Sequence, residues 1–285
     1  MKDSSLRFAL FGLGKFGKNY ARLIPEISGA SLPVIVATSS DDPNLAFQNP
    51  DIDAVIIATP PTTHFALAKT ALENGKHVLM EKPMVLKISE ARELVKLVKK
   101  TGLTFMVGSQ YLFNESILRV KGKLAGKIDL MKSEHRQSPP REDFDVLWDA
   151  APHPLSIHNF LFSSTRIKSA SGRGQKNSAG LLESVEAVVE FDRGPKLEII
   201  TSWPGEQKVR KISWSGENLE IELDETEKKP VGAEPLRNQL ECFIDCVRNK
   251  KEPFNNVSHG LLITDWLQKI SSSLSSTKSG SRASS

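Results

Sequence analysis

Lys82 ends a short apolar run, His77-Val78-Leu79-Met80-Glu81-Lys82-Pro83. An ammonium group there is either aimed at a ligand or belongs to an ordinary surface lysine after a strand. Asn74-Gly75 closes a helical pattern just before the run, so Val78 to Met80 reads as a buried strand of a parallel sheet that Pro83 stops. Open α/β sheets bind ligands outside the carboxyl ends of their strands, which aims Glu81 and Lys82 at the crevice. A second pair that could do chemistry is Asp149 and His153, in Trp148-Asp149-Ala150-Ala151-Pro152-His153-Pro154. A histidine can accept a proton near neutral pH. Helical spacing would put the two on one face, but Pro152 and Pro154 argue for a turn leading into a helix, and spacing alone leaves the pair undecided.

These groups need a scaffold, and the amino-terminal part supplies one. Leu6 to Phe11 reads as a buried strand, followed at once by Gly12-Leu13-Gly14-Lys15-Phe16-Gly17 opening a helix that runs to about Ile24. In this setting the first glycine permits a tight turn, the second lets backbone approach a pyrophosphate, and the third allows close helix-to-strand packing. Lys15 adds charge near the phosphates or is simply solvated. Leu32 to Ala37 is the second strand, ending in Thr38, Ser39 and Ser40, where an acid would hold the ribose of NAD. Asp41 and Asp42 come slightly late and no arginine stands nearby for a 2'-phosphate, so NAD and NADP both stay open. Between Asp41 and Ile52, with Pro43 and Pro50, there is no room for a helix and another strand; a trimmed loop and a more open adenine pocket are expected.

Ala54 to Ala58 is a further strand, and Thr59-Pro60-Pro61-Thr62-Thr63-His64 follows it at the same edge. Thr63 is placed to cap the next helix, with His64 in its first turn, either at the cofactor or in a structural hydrogen bond. Ser89 is expected to cap a helix ending at Lys99, Lys100 and Gly102; Leu103 to Val107 gives the last strand and Asn114 to Leu124 a helix ending at Gly126. The whole reads as an α/β protein whose first domain, residues 1–124, is a Rossmann-type doubly wound parallel sheet.

The periodicity then changes. Val185, Ala187, Val189 and Phe191 alternate with more polar residues, as do Leu197, Ile199, Thr201 and Trp203, and Leu219, Ile221 and Leu223. Period two marks half-buried antiparallel strands, so residues 125–270 form an α+β domain with an open, mainly antiparallel sheet. Trp203 and Trp214 are core residues or lie under another subunit. Helices are expected at Pro235 to Arg248 and Ser258 to Ile270, and the serine-rich 271–285 as a disordered tail. Lys and Arg number 38 against 34 Asp and Glu, too small an excess to point to nucleic acid. The sequence shows neither a membrane span nor a signal-peptide pattern, and Cys242 and Cys246 have no second ligand pair for a metal, so a cytoplasmic protein with reduced thiols is expected.

GLGKFG after the first strand, ATPPTTH after a later one, MEKP, WDAAPHPLSI and the PLRNQLECFIDCVRNKKEP helix together closely resemble the glucose-fructose oxidoreductase, inositol dehydrogenase and MocA family. The resemblance runs from about Leu6 to Ile270, and WDAAPH is most similar to members found with polysaccharide and nucleotide-sugar synthesis. It implies NAD or NADP as cofactor and a sugar, inositol or nucleotide sugar as substrate. It further implies Lys82 as the lysine that hydrogen-bonds the reacting oxygen, His153 as acid/base, and Asp149 as the acid preceding it. Gly12 to Gly17, Thr38, Ser39, Ala58, Thr59, Pro60, His64, Glu81 and Lys82 would then line the cofactor, and copies of the chain would associate through the second sheet. The sequence departs from the family where Pro154 and Ser156 replace a carboxylate just after the histidine, and in the trimmed region after Ser40. These departures support the rival reading, a non-catalytic nucleotide- or sugar-binding regulator or scaffold; a reductase of another carbonyl is a third, since a fold does not fix its substrate.

Overall fold

Short apolar runs, buried on both faces except in the edge strand Ala30–Val36, build the first sheet of the computed structural model, which describes residues 5–121, 128–136, 143–203, 209–215, 219–222 and 234–278. Its strands are β1 (Leu6–Phe11), β2 (Ala30–Val36), β3 (Ala54–Ile57), β4 (His77–Glu81) and β5 (Phe105–Gly108), all parallel, in the order β2-β1-β3-β4-β5. Helices α1 (Lys15–Leu23), α2 (Asn44–Phe47), α3 (Pro61–Glu73) and α4 (Ile88–Thr101) connect them. Strand period two divides the core. Ala9, Phe11, Val55, Ile57, Val78, Met80, Phe105 and Val107 join the cluster that includes Ala68, Ala71, Leu72, Ala91 and Leu94 of α3 and α4. Phe8, alternating to the other face, meets Phe243 at 6.1 Å. The stretch expected as a trimmed loop carries one short helix, α2, and, in keeping with the spacing, no further strand flanks β2 among the described residues.

The second sheet orders its strands β11-β10-β6-β9-β8-β7-β12. They are β6 (Leu130–Arg136), β7 (Ile167–Lys176), β8 (Leu182–Phe191), β9 (Lys196–Ser202), β10 (Val209–Trp214), β11 (Leu219–Glu222) and β12 (Leu274–Lys278). The pairings β6 with β9 and β7 with β12 are parallel and the others antiparallel, a mixed and mostly antiparallel sheet. Val185, Ala187, Val189 and Phe191 are buried, as are Leu197, Ile199 and Thr201, in the alternation the sequence predicts. Trp203 and Trp214 are buried within the single chain, so core packing accounts for both. Helices α5 (Glu115–Lys121), α6 (Val146–Ala150) and α7 (Pro152–Phe162) belong to this unit.

The chain does not divide once, near residue 124. The first unit comprises Met1–Phe113 and Val231–Thr264, and so takes in α8 (Pro235–Asn249) and α9 (Val257–Ser273) as far as Thr264. The apolar stripe of α8 predicts a buried helix but carries no information on which sheet receives it. The serine-rich end also differs from expectation: α9 continues to Ser273 and β12 then pairs with the edge strand β7, main-chain hydrogen bonding giving order to a stretch with few apolar side chains. Leu124, Gly126, Leu223 and residues 279–285 lie outside the described residues.

His158 on α7 is fully buried, with Nε2–H donating to the Pro195 carbonyl at 2.8 Å and its ring stacked on Phe191 at 3.9 Å. Burial lowers it to about 4, so the folded state holds it neutral. Because the folded value lies below the ordinary 6.5, its stabilisation is complete above about pH 6.5 and is lost as pH falls toward 4. Denaturant titrations at stepped pH should show wild-type unfolding free energy falling across that window by up to about 3 kcal/mol on account of this group. A His158→Gln chain should lack that part of the slope, and an identical slope in both would refute the assignment.

Candidate active site

At the carboxyl edge of the first sheet, Phe11 pairs with Val36 on one side and Ile57 on the other, and Ile57 with Met80. The residues that follow, Gly12, Ala37, Ala58 and Glu81, therefore line one edge. Gly12 N–H donates to the Val36 carbonyl and Ala58 N–H to the Phe11 carbonyl, both at 2.8 Å, which brings the Gly12 turn against the end of β3. Gly12 has φ +89°, and a Cβ on it would stand 2.8 Å from the Ala58 carbonyl oxygen. A Cβ on Gly17 would run into the Gly12 carbonyl oxygen, so the third glycine sets how close α1 comes to β1. Gly14 is different: it is exposed at the N-cap of α1 and a Cβ there meets open space, leaving the helix start open to a pyrophosphate. Lys15 is exposed beside it, and Leu13 and Phe16 are half-buried. This cradle fits the diphosphate of NAD or NADP.

Thr38, Ser39 and Ser40 are exposed in the turn after β2. Asp41 curls back over that turn: its Oδ2 accepts hydrogen bonds from the Thr38 and Ala37 amides, each at 2.8 Å, and from the Thr38 hydroxyl at 3.3 Å. The Thr38 amide, then the Ala37 amide and the Thr38 hydroxyl, hold its carboxyl below the ordinary carboxylate range. An acid that comes late in the sequence is thus returned to the end of β2. The turn that does this depends on backbone bonds which strand periodicity does not report.

The Lys82 turn is held from several directions within the first unit. Glu81 is buried at the end of β4; its Oε1 accepts the Tyr20 hydroxyl of α1 at 2.7 Å, and its Oε2 accepts the Lys82 amide at 3.2 Å. Gln239 of α8 donates to the Tyr20 oxygen at 3.0 Å. Burial pushes the Glu81 carboxyl above its ordinary value, opposed by the Tyr20 hydrogen bond and the Lys82 charge. Burial and the Glu81 charge together push the Tyr20 phenol well up. The Glu81 side chain, expected at the cofactor, is directed to Tyr20. Lys82 is half-buried, and the Lys82–Pro83 peptide is cis. On α9, a Cβ at Gly260 would collide with the Met84 sulfur, so this helix also packs tightly on the turn.

His64 has 0% exposure. Its Nδ1 lies 3.0 Å from the Pro83 carbonyl oxygen and 3.3 Å from that of Met84, and its Nε2 lies 3.0 Å from the Thr59 carbonyl oxygen. The nitrogens expected at a cofactor thus face the chain's own backbone. Thr63 is not the cap of α3: the helix starts at Pro61, and the Thr63 hydroxyl donates to the Pro60 carbonyl at 2.8 Å from within the first turn. Pro61 suits the first helical position, whose N–H has no intrahelical partner. Ser89 likewise lies inside α4, which Lys87 precedes as N-cap, while Gly102 closes it in the left-handed region.

In the second unit, Asp149 on α6 and His153 on α7 are 5% and 9% exposed. Ala151 between the helices has helical dihedrals, φ −69° and ψ −21°, so the path from Asp149 to His153 is nearly one helix despite the prolines. The His153 ring lies parallel to that of His135 on β6, 7° between planes and 5.7 Å between centroids. Arg210 of β10 and Thr201 of β9 pair with His135 from its two sides. The Thr201 hydroxyl and the Trp203 indole N–H are buried and meet no hydrogen-bond partner among the described residues. Sequence reading missed His135; alternation of Met131, Ser133 and His135 on one buried face was the available signal. Among the described residues no cluster of His, Cys, Asp or Glu could hold a metal ion, and no helix is long and apolar enough to cross a membrane.

Residues 6–109 match the model of an oxidoreductase family with an NAD-binding Rossmann fold. The chain is 27% identical to scyllo-inositol 2-dehydrogenase (NAD(+)) of Bacillus subtilis, an alignment spanning 88% of this chain and 89% of that one. Among solved structures it is similar to UDP-N-acetylglucosamine 3-dehydrogenase GnnA from Acidithiobacillus ferrooxidans, with a TM-score of 0.80 at 18% identity over 95% of this chain and 98% of that one. It is also similar to scyllo-inositol dehydrogenase from Lactobacillus casei, solved with NAD(H) and scyllo-inositol, with a TM-score of 0.78 at 19% identity over 95% and 97% of the two chains. At these identities the structural likeness shows a shared fold.

Removing one hydroxyl should reveal how much the Lys82 turn depends on α1 and α8. Tyr20→Phe leaves Glu81 Oε1 and Gln239 Nε2 buried without their shared partner and should cost about 1–3 kcal/mol in urea unfolding. Unchanged stability would mean that Glu81 is satisfied by other groups.

Proposed function

Because the chain belongs to the oxidoreductase family with the NAD-binding Rossmann fold, the glucose-fructose oxidoreductase, inositol dehydrogenase and MocA family, we propose that it transfers hydride between a nicotinamide and a secondary hydroxyl or ketone of an inositol, sugar or nucleotide sugar. The observation that carries this reading is that Lys82 stands at the same sheet edge as the Gly12–Gly17 cradle, on a turn that Glu81 and Tyr20 fix from within the core. The cofactor supplies the hydride acceptor or donor. The Lys82 ammonium hydrogen-bonds the reacting oxygen and favours the negative charge that develops on it. His153 takes the hydroxyl proton in the oxidative direction and returns it in reduction, and Asp149, one helical turn earlier, stabilises the imidazolium that results. Stacking against His135 supports a fixed plane for that ring.

NAD is the cofactor this reading takes. The Asp41 carboxylate, kept ionised by two backbone amides, suits ribose hydroxyl groups and repels a 2'-phosphate. We place the chain in the cytoplasm with the cell's NAD pool, in keeping with Cys242 and Cys246 standing unbridged on α8. Copies associate through the second unit's sheet, whose outer face carries the opposite charges of Arg173 and Glu186 and of Lys196 and Glu190.

Stopped-flow and steady-state assays on a panel of inositols and nucleotide sugars test the roles. His153→Ala and Lys82→Ala should each lower kcat by about 10²–10⁴-fold. Wild-type turnover in both variants would overturn the assignment, and clear NADH binding without hydride exchange on any substrate would favour the non-catalytic reading. Asp41→Ala should shift the ratio of kcat/KM values toward NADP by about tenfold or more, through loss of a repulsive charge worth ~1–2 kcal/mol. An unchanged ratio would remove Asp41 from cofactor choice.

A further inference from the structure

We propose that His64 is held as an imidazolium and is the positioning residue that ties the Thr59–Pro60 turn to the Lys82–Pro83 turn. A neutral imidazole has one N–H and one bare lone pair. With carbonyl oxygens 3.0 Å from both ring nitrogens, either neutral tautomer would set a lone pair against an oxygen at one end of the ring. The cation donates at both ends, to Thr59 on one side and to Pro83 and Met84 on the other. One side chain then bridges the loop after β3 and the turn after β4.

The opposing contributions are visible. Complete burial disfavours the charged ring, and Lys82, next to Pro83, carries the same sign. On the other side, three carbonyl dipoles point at the ring, and Glu81, buried two residues before Pro83, is the acid on that strand end. The first turn of α3 bears no acidic residue. From α9, packed on Met84 through Gly260, comes His259, which burial holds neutral at about 4, so it adds no competing charge. Hydrogen bonds to the charged form favour it, and here three acceptors converge on one ring.

The bridge rests on the reading that these two turns serve cofactor and substrate, but its own test does not need turnover. In the full chain labelled with ¹⁵N, side-chain spectra at about pH 7 should show both His64 nitrogens protonated, with assignment by loss of the signals in His64→Gln. As pH is raised until the ring loses its proton, the backbone amides of Ala58–Thr59 and of Glu81–Lys82 should shift along the same titration. One protonated and one bare nitrogen at about pH 7 would overturn the inference, and so would movement of one turn without the other. A doubly protonated His64 in a chain that turns over no substrate would count against the dehydrogenase reading alone. A neutral His64 in an active chain would count against this inference alone.

Discussion

A carboxyl group buried at the end of β4 sets the terms on which the first unit can present a lysine. Glu81 cannot be left in an apolar core without partners, and its partners come from α1, through Tyr20, and from the backbone of Lys82 itself. Gln239 extends the chain of hydrogen bonds to α8, a helix more than a hundred residues further along the sequence. Satisfying one acid therefore fixes three things at once: the helix that begins at the glycine turn, the strand end that carries Lys82, and the place of α8 in the first unit. The Gln239 side-chain oxygen finds no partner among the described residues, so this polar cluster is not fully satisfied.

Steric exclusion complements that electrostatic tie. The carbonyl oxygens of Gly12 and Ala58 lie where side chains at Gly17 and Gly12 would have to go, so α1 can approach the sheet only because both are glycine. The same logic operates at Gly108, where a Cβ would come within 3.0 Å of the Glu81 carboxyl. Small residues thus surround the strand ends on the side that must accept a flat, charged cofactor, while large apolar ones, Phe11 stacked on Phe47 at 4.9 Å among them, fill the layer behind. Glycine at these positions is a demand of packing, and Gly14 alone, with open space before it, is left for a ligand.

Much of this was legible in the sequence because it is local. The strands of the first sheet, the glycine turn, the shortened segment before β3 and the alternation of β8 and β9 each follow from residue order over a few positions. What was not legible depends on distant partners. The apolar stripe of α8 says that it is buried and nothing about Tyr20; the polar strand β12 exists because β7 offers an unpaired edge. His135 gains meaning only beside His153, and Asp41 only when a backbone turn carries it back to Thr38. His64 shows the same limit, since its position in the helix was readable and its three carbonyl partners were not.

Proline shapes the backbone where the second unit places its candidate acid and base. Pro152 and Pro154 read as a turn leading into a helix, and both occupy the first turn of α7, where amide hydrogens have no intrahelical acceptor to lose. Their fixed φ is already helical, and Ala151 passes the helical path from α6 to α7 with dihedrals of −69° and −21°. Two rings that would interrupt a helix at its centre instead stiffen its start. Stiffness is useful there, because the His153 imidazole lies parallel to that of His135 on a different element, and a start free to fray would not keep the two ring planes within 7° of parallel. The absence of a carboxylate at positions 154 and 156 then has a structural counterpart: those positions are given to Pro154, which shapes the helix start, and to the buried Ser156, while the ring of His135 lies parallel to that of the histidine.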